Sequence, residues 1–337
     1  MVRIALSTLL LAAALPAHAD IAVTITPERP TLGKRDDVIV TVTLANTGST
    51  PERIAKGRTP FGPEEAALFE ITRDGQPVRY LGRKVKRAAP GEADTLLLAP
   101  GETLSARVEL SSTYDMAATG AYAVRYRGTA PAPTLKAGGL VSNMAAIFIE
   151  GRLPRGTPMP MLAAPGGTGL TYANCSNAQQ ETIAEALAAG SAMAGNGHGY
   201  LTSGKEQGQR YTTWFGALDA ARQSTVNKNF TAIKDAFETK PVKVDCGCDE
   251  DYFAYVYPFQ PYTIYVCNAF WTAPLTGTDS KGGTLLHEMS HFDIVAGTDD
   301  HVYGQQGAAE MARTAPQRAI NNADSHEYFG ENHPALQ

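Results

Sequence analysis

Alternating hydrophobic and polar positions dominate the first half of the chain. Residues 21–26 alternate in this way, and so do residues 38–44, with many β-branched side chains in both segments. Further segments with strand character, separated by Gly, Pro, Asn and Asp, are 67–73, 78–85, 103–110, 121–127 and 144–150. About seven short strands predict an all-β, immunoglobulin-like sandwich over residues 20–152.

The pattern changes behind residues 153–170, which are rich in proline and glycine. This composition prevents regular structure and is typical of a linker that proteases can cut. Beyond it, the periodicity predicts helices over 177–194, 211–237, 281–296, 305–313 and 316–327, and strands over 253–257 and 263–267. The predicted fold class is α+β, with a mostly helical domain and a small sheet over residues 171–337.

The first 19 residues have the pattern of a secretory signal peptide. Arg3 provides the positive charge, residues 4–15 are mainly apolar, and residues 17–19 (Ala-His-Ala) match a cleavage site. The apolar stretch is shorter than the ~20 residues that span a bilayer, and no later segment approaches that length. We therefore expect an exported, extracellular protein that begins at Asp20 and has no membrane segment.

The charge of the chain is unevenly distributed. The 337 residues include 29 Lys and Arg and 34 Asp and Glu, a formal net charge of −5. Residues 171–337 contain 10 basic and 19 acidic side chains, and residues 1–170 contain the other 19 basic and 15 acidic ones. Mild acidity argues against nucleic acid as a partner, because phosphate binding needs clustered Lys and Arg. The opposite net charges of the halves either favour their attraction or arise by chance.

All four cysteines, Cys175, Cys246, Cys248 and Cys267, lie in the second half. An even number in an oxidising compartment favours two disulfides. Cys246 and Cys248 are poorly placed to bond to each other, so Cys175 would pair with one of them and Cys267 with the other. A Cys-x-Cys zinc site is the alternative, although no second such pair supports it.

One motif carries the strongest candidate chemistry, His287-Glu288-Met289-Ser290-His291. Residues four apart lie on one face of a helix, so the two histidines can bind one Zn²⁺ per chain. Glu288 lies between them and can accept a proton from a zinc-activated water as it attacks a carbonyl. The motif therefore predicts a zinc-dependent hydrolase.

A catalytic zinc needs a third protein ligand and an open position. Asp300 follows Gly297, which can end the helix and bring the chain back over the metal. Glu310 lies on a later predicted helix and would serve a gluzincin-like protease. Asp293 follows the motif closely but is expected to point away from the ligand face. The spacing alone leaves Asp300 and Glu310 as candidates.

Residues 297–304, Gly-Thr-Asp-Asp-His-Val-Tyr-Gly, fit the pattern G-T-x-D-x-x-Y-G, and here the chain resembles the aspzincins, deuterolysin-like metalloendopeptidases. The resemblance implies a zincin-type catalytic domain. It also implies the roles of five residues: zinc ligands His287, His291 and Asp300, general base Glu288, and Tyr303 as a phenol donor to the oxyanion.

Residues 171–172, 210–216, 253–258, 269–271, 276–280 and 322–329 resemble the peptidyl-Lys branch of this family. That resemblance implies cleavage on the amino side of lysine (Lys at P1′), with Asp324 and Glu327 holding the lysine. A desolvated ammonium needs compact negative partners, although a solvated acidic patch is the alternative for this pair. The disulfides that it implies are Cys175–Cys246 and Cys248–Cys267.

Together these features predict a secreted, monomeric zinc endopeptidase that acts on proteins or peptides and is made as a latent precursor. Residues 20–152 would be a pro-domain that inhibits its own enzyme until the linker is cut near Thr171. A pro-domain lysine, such as Lys136, would enter the pocket of Asp324 and Glu327. The alternative function is a non-enzymatic secreted binding protein with a structural zinc, which would usually have four protein ligands.

Overall fold

The structure is a computed structural model that describes residues 21–62, 66–89, 91–128, 140–157, 169–204 and 208–337. The predicted signal peptide, Lys136 and most of the predicted linker lie outside these residues. Within the described residues, no helix is both long enough and apolar enough to cross a bilayer. Two separate clusters of buried apolar side chains form the cores of the first and second halves.

The first half is built from β-strands, as the alternation predicts. Its strands are β1 (Ile21–Pro27), β2 (Thr31–Leu32), β3 (Ile39–Asn46), β4 (Glu52–Ala55), β5 (Phe69–Arg73), β6 (Gln76–Pro77), β7 (Lys84–Lys86), β8 (Thr95–Leu98), β9 (Thr103–Glu109), β10 (Gly120–Gly128) and β11 (Leu140–Ile149). The main sheet has the order β6-β5-β10-β11-β1-β3-β9, with β2 paired to β11. Strands β4 and β8 form a separate pair.

The second half has a sheet covered by helices. Its strands are β12 (Gly169–Ala173), β13 (Pro241–Asp245), β14 (Ala254–Val256) and β15 (Thr263–Val266). Its helices are α1 (Asn177–Leu201), α2 (Gln209–Phe215), α3 (Ala220–Thr239), α4 (Asn268–Thr272), α5 (Lys281–His291), α6 (Gln305–Thr314), α7 (Pro316–Ala319) and α8 (Ala323–Glu331). Helix α5 packs against α1 and α8 in the centre of this half. The mixed α and β content agrees with the predicted α+β class.

A strand of the first half completes the sheet of the second half. The sheet order is β12-β13-β15-β14-β7, and β7 pairs antiparallel with β14 at its edge. The sequence pattern predicts a longer strand over 78–85. This is wrong, because the strand in this region comprises only Lys84–Lys86. This edge pairing brings a segment of the first half to the centre of the second.

Several predicted boundaries in the second half are also wrong. The helical pattern over 211–237 divides at Gly216, whose φ of 81° is unsuited to a helix, and Asp219 then caps α3. The pattern over 316–327 likewise divides into α7 and α8. Strand β12 begins at Gly169, inside the predicted linker, because it pairs in parallel with β13.

Two disulfides connect the ends of these elements. Cys175 is bonded to Cys246, and Cys248 is bonded to Cys267, so both pairs that the family resemblance implies are present. The described residues contain no free cysteine, so the alternative of a Cys-x-Cys zinc site is wrong. The first bond ties the start of α1 to the end of β13, and the second ties the loop after β13 to the end of β15.

Candidate active site

Helix α5 presents the histidine motif inside the second half. Ser280 caps its first turn by accepting a hydrogen bond from the backbone N–H of Gly283. A side chain at Gly283 would collide with the carboxylate of Glu331, so glycine permits this close approach. All residues of the helix are buried. The motif therefore stands on a rigid element and faces the interior.

The two histidines meet Asp300 at one point. Nε2 of His287 lies 3.1 Å from Nε2 of His291 and 3.1 Å from Oδ1 of Asp300, and Nε2 of His291 lies 3.3 Å from the same oxygen. The three side chains are buried. Among the described residues, neither carboxylate oxygen of Asp300 has a hydrogen-bond donor.

The partners of the other ring nitrogens explain why this point suits a cation. Nδ1 of His291 lies 2.8 Å from the carbonyl oxygen of Thr298, and Nδ1 of His287 lies 3.0 Å from Oδ1 of Asp324. In a neutral imidazole these acceptors favour the proton on Nδ1, which leaves the lone pair on Nε2. Two nitrogen lone pairs and a carboxylate oxygen then converge, a donor set that fits Zn²⁺.

A tight return of the chain brings Asp300 to this point. Helix α5 ends after His291, and Gly297 adopts a φ of 59°, as expected for a residue that reverses the chain. The backbone N–H of Thr298 then donates to the carbonyl oxygen of Ser290, and the hydroxyl groups of these two residues lie 2.6 Å apart. The chain thus reverses at Gly297 and brings Asp300 to the histidines as predicted, but the helix ends at His291 and not at the predicted residue 296.

Glu310 does not lie with the histidines. Its carboxylate forms a 2.7 Å ion pair with Arg313 on α6, and both side chains are more than half exposed. In the described part of the chain, the only acidic group that completes a cluster with both histidines is Asp300. The alternative in which Glu310 serves as the third ligand is therefore wrong.

Glu288 and Tyr303 face the same backbone segment of β7. Oε1 of Glu288 accepts a 3.2 Å hydrogen bond from the backbone N–H of Lys86, whereas its Oε2 has no donor among the described residues. Burial raises the pKa of Glu288 well above its usual range. The hydroxyl of Tyr303 donates a 2.8 Å hydrogen bond to the carbonyl oxygen of Val85. The two side chains thus contact opposite ends of the Val85–Lys86 peptide bond.

Asp324 and Glu327 form a closed pocket on α8. Both are fully buried, so the alternative of a solvated acidic patch is wrong. The ammonium of Lys86 lies 3.1 Å from Oδ1 of Asp324 and 2.7 Å from Oε2 of Glu327. Asp279 adds a third carboxylate at 3.1 Å, which the sequence prediction missed although it falls in a segment that resembles the peptidyl-Lys branch.

The pocket compensates the burial of the lysine. Burial by itself would lower the pKa of Lys86, but the charges of Asp324 and Glu327 outweigh it and raise the pKa well above its usual value. The rings of Tyr328 and Phe253 lie 5.3 Å and 5.7 Å from the ammonium. The occupant is Lys86, not the expected Lys136, which lies outside the described residues.

The backbone around Lys86 is bound like an added strand. Lys86 pairs with Ala254, Val85 with Tyr255 and Lys84 with Val256 in the antiparallel ladder of β7 and β14. The backbone N–H of Phe253 also donates to the carbonyl oxygen of Lys86 at 3.0 Å. Strand addition to a sheet edge is a common way to hold an extended peptide.

Comparisons with known proteins identify relatives of this chain. A family model described as "Lysine-specific metallo-endopeptidase" matches residues 200–331. The chain is 46% identical to an "Extracellular protease" of Aeromonas hydrophila over 90% of both chains. It is 36% identical to a "Peptidyl-Lys metalloendopeptidase" of Armillaria mellea over 89% of this chain and 88% of the other.

A solved structure is similar to part of the chain. It is described as a zinc peptidase from Grifola frondosa and shares 44% sequence identity with the aligned part. The alignment covers 48% of this chain and 100% of that one, with a TM-score of 0.47.

Proposed function

Because the chain belongs to the aspzincin family and is a zinc metalloendopeptidase, we propose that it cuts on the amino side of lysine and is made as a latent precursor. The observation that carries this proposal is the position of Lys86. Its ammonium sits between Asp324 and Glu327 while its backbone N–H meets Glu288. A peptide substrate with lysine at P1′ would make the same contacts. Family membership also corrects the alternative expectation of a non-enzymatic binding protein.

We assign one zinc ion per chain to His287, His291 and Asp300. The support is the donor set itself, in which the Nε2 atoms of the two histidines and a buried carboxylate face one another. When bound, zinc supplies Lewis acidity toward the scissile carbonyl and makes water easier to deprotonate.

Glu288 is the proposed general base and general acid. It takes a proton from the attacking water while the water oxygen bonds to the carbonyl carbon, and it then gives a proton to the amine as the C–N bond breaks. In the strand that fills the site, its Oε1 lies 3.2 Å from the backbone nitrogen of Lys86, which corresponds to that leaving amine.

Tyr303 is the proposed donor to the developing oxyanion. Its hydroxyl already donates to the carbonyl oxygen of Val85, the residue that corresponds to P1. A donor aimed at the carbonyl oxygen stabilises the negative charge that forms on it when water attacks. Tyr303 is buried, and in the precursor the guanidinium of Arg58 lies 5.5 Å from its ring centre.

The proposed latency follows from the same contacts. With β7 in the ladder and Lys86 in the pocket, a second lysine peptide has no access to Asp324, Glu327 or the edge of β14. Residues 20–152 would thus act as an intramolecular inhibitor, and its local concentration would favour this occupancy over free substrate. The precursor would become active when this segment dissociates or is degraded.

The remaining parts of the precursor are proposed from the sequence pattern. Residues 1–19 would direct export, and a cut in the 153–170 linker would separate the halves; a cut before Gly169 would leave β12 whole. An immunoglobulin-like fold of the first half is supported by Tyr122, whose hydroxyl donates to the carbonyl oxygen of Ala118 as in a tyrosine corner. The processed enzyme is proposed to be a secreted monomer.

Mass spectrometry of a digest tests the proposed function. The processed protein is incubated with a denatured protein mixture, with and without a chelator, and the new N-termini are sequenced. We expect lysine as the first residue of the new fragments, no cleavage with chelator, and recovery when zinc is added back. New N-termini without enrichment of lysine would overturn the specificity, and cleavage that survives chelation would overturn the zinc centre.

A further inference from the structure

Two other basic residues of the bound strand also contact the second half. If Val85 and Lys86 correspond to P1 and P1′, then Lys84 corresponds to P2 and Arg83 to P3. Side chains alternate along an extended strand, so Lys84 lies on the same face as Lys86 and Arg83 on the opposite face. Each of the two has a separate set of partners.

Lys84 is bound at a small polar site beside the metal ligands. Its buried ammonium lies 2.7 Å from Oδ1 of Asp299 and donates a 2.6 Å hydrogen bond to the carbonyl oxygen of Thr298. The amide of Asn321 holds the other carboxylate oxygen of Asp299 at 3.0 Å. The second half therefore orients this carboxylate by its own contacts, and hydrogen bonds between charged groups are the strong ones.

Arg83 lies over an aromatic surface. Its guanidinium is 5.4 Å from the ring centre of Tyr252 and 5.4 Å from that of Tyr255. The ring of Tyr255 is stacked in parallel on Tyr265, with ring centres 4.6 Å apart. A planar guanidinium over such rings is attracted by cation–π interaction and stacking. This surface belongs to strands β14 and β15 and the adjoining loop, so it stays with the enzyme after processing.

We propose that Asp299 with Thr298, and Tyr252 with Tyr255, are two substrate subsites that favour basic residues at P2 and P3. The preferred substrate is then a peptide with basic residues at P3 and P2 and a lysine at P1′. This inference rests on the proposed function, because it takes residues 83–86 as a substrate-like strand. It adds a specificity on the other side of the cleaved bond from the lysine pocket.

Peptides that vary one position test the two subsites. The processed enzyme is given a parent peptide with Arg-Lys-Val-Lys at its centre, a variant with norleucine at P2, a variant with citrulline at P3, and a variant with norleucine at P1′. Norleucine and citrulline keep nearly the same shape but remove the charge. Because the P2 lysine offers a second bond to cut, kcat/KM is measured for the Val–Lys bond alone, from the fragment that begins at P1′. We expect this kcat/KM to fall about tenfold for the P2 change and about fivefold for the P3 change.

The same peptides distinguish a failure of the two subsites from a failure of the proposed lysine specificity. If the parent is cleaved between Val and Lys but both the P2 and P3 changes alter kcat/KM less than twofold, the subsites are overturned and the proposed function stands. If the parent is not cleaved, or the P1′ change has no effect, the lysine specificity fails and this inference fails with it.

A variant pair assigns the P2 preference to Asp299. We expect Asp299→Asn to reduce the ratio of kcat/KM for the parent over the P2 norleucine peptide from about tenfold to about twofold. Asp235→Asn, at an exposed carboxylate on α3 that pairs with Lys240, is the matched control and should keep the full ratio. If Asp299→Asn leaves this ratio unchanged, the assignment is contradicted. Because the ratio compares two peptides on the same variant, a lower overall activity of that variant does not affect it.

Discussion

The backbone N–H of Lys86 lies 3.2 Å from Oε1 of Glu288, although 202 positions separate the two residues in the chain. The side chain of the same lysine ends between Asp324 and Glu327. One residue of the first half therefore contacts both the proposed catalytic base and the proposed specificity pocket of the second half. In this account, specificity and latency depend on the same set of contacts.

Glu288→Gln is predicted to abolish peptide cleavage without removing the metal. The carboxylate is not one of the three converging donors, and the amide cannot take a proton from water. We expect kcat/KM on a lysine peptide to fall by about 10³-fold or more, with unchanged zinc content. Elemental analysis and a peptide assay on the same processed sample measure both effects. Retention of more than a tenth of the activity would contradict the role of Glu288.

Asp300→Asn is predicted to weaken zinc binding, and Glu310→Gln is predicted to leave it unchanged. The first change removes a negative ligand from a buried three-donor site, whereas Glu310 is paired with Arg313 at the surface. Competition with a chromogenic chelator measures both affinities. We expect a loss of at least about tenfold for Asp300→Asn. Equal zinc affinities for the two variants would rule out Asp300 as the third ligand.

Glu327→Gln is predicted to reduce the preference for lysine at P1′. Removal of one carboxylate leaves a buried ammonium incompletely compensated, which costs about 3 kcal/mol or more. We expect kcat/KM for a lysine peptide to fall about 100-fold relative to the same peptide with norleucine at P1′. Glu181→Gln, at an exposed position of α1, serves as the control. An unchanged ratio for Glu327→Gln would show that the lysine pocket lies elsewhere.

Glu331 is predicted to make stability depend on pH. Burial, with a smaller effect of Glu327, raises the pKa of Glu331 to about 8 from its usual 4.5. The folded state then binds the proton more tightly than the unfolded state does, so this contribution to stability is complete below pH 4.5 and is lost as the pH rises toward 8. Glutamine stays neutral and can still accept the hydrogen bonds from Ser280.

Urea unfolding of the intact precursor at pH 5.5 and 8.5 measures this effect. Both chains carry Glu288→Gln to prevent self-cleavage, and one also carries Glu331→Gln. Between the two pH values, we expect the chain with Glu331 to lose about 1 to 3 kcal/mol more unfolding free energy than the chain with glutamine. Parallel pH dependences of the two chains would contradict the raised pKa.

The positions of the proposed metal ligands could be predicted from the sequence because their signals are local. The helical spacing of His287 and His291 determines their shared face, and Gly297 marks the point where the chain turns back toward them with Asp300. Strands with regular alternation, such as those over residues 39–46 and 120–128, were predictable for the same reason.

The occupant of the lysine pocket could not be predicted from such local signals. Strand β7 has three residues, and its ladder depends on an edge of β14 that lies about half the chain away. Lys86 and Lys136 both follow short stretches in which apolar and polar residues are mixed. Neither stretch contains a pattern that indicates a partner in the second half. The breaks after α2 and α7 were missed because the helical periodicity runs on through them.

The central claim is that Lys86 keeps the enzyme latent by filling its own lysine pocket. The most direct test compares the initial rates at which three intact precursors cleave a lysine peptide: the unchanged chain, Lys86→Ala and Lys34→Ala. Mass spectrometry verifies that each chain is intact. Lys34→Ala is the control, because Lys34 pairs with Glu150 at the surface. We predict that Lys86→Ala raises the rate at least about 100-fold, because it removes a buried ion pair worth several kcal/mol to the blocked state, and that Lys34→Ala has no effect. An unchanged precursor as active as the processed enzyme, or an intact Lys86→Ala precursor that stays inactive although its processed form is active, would contradict the claim.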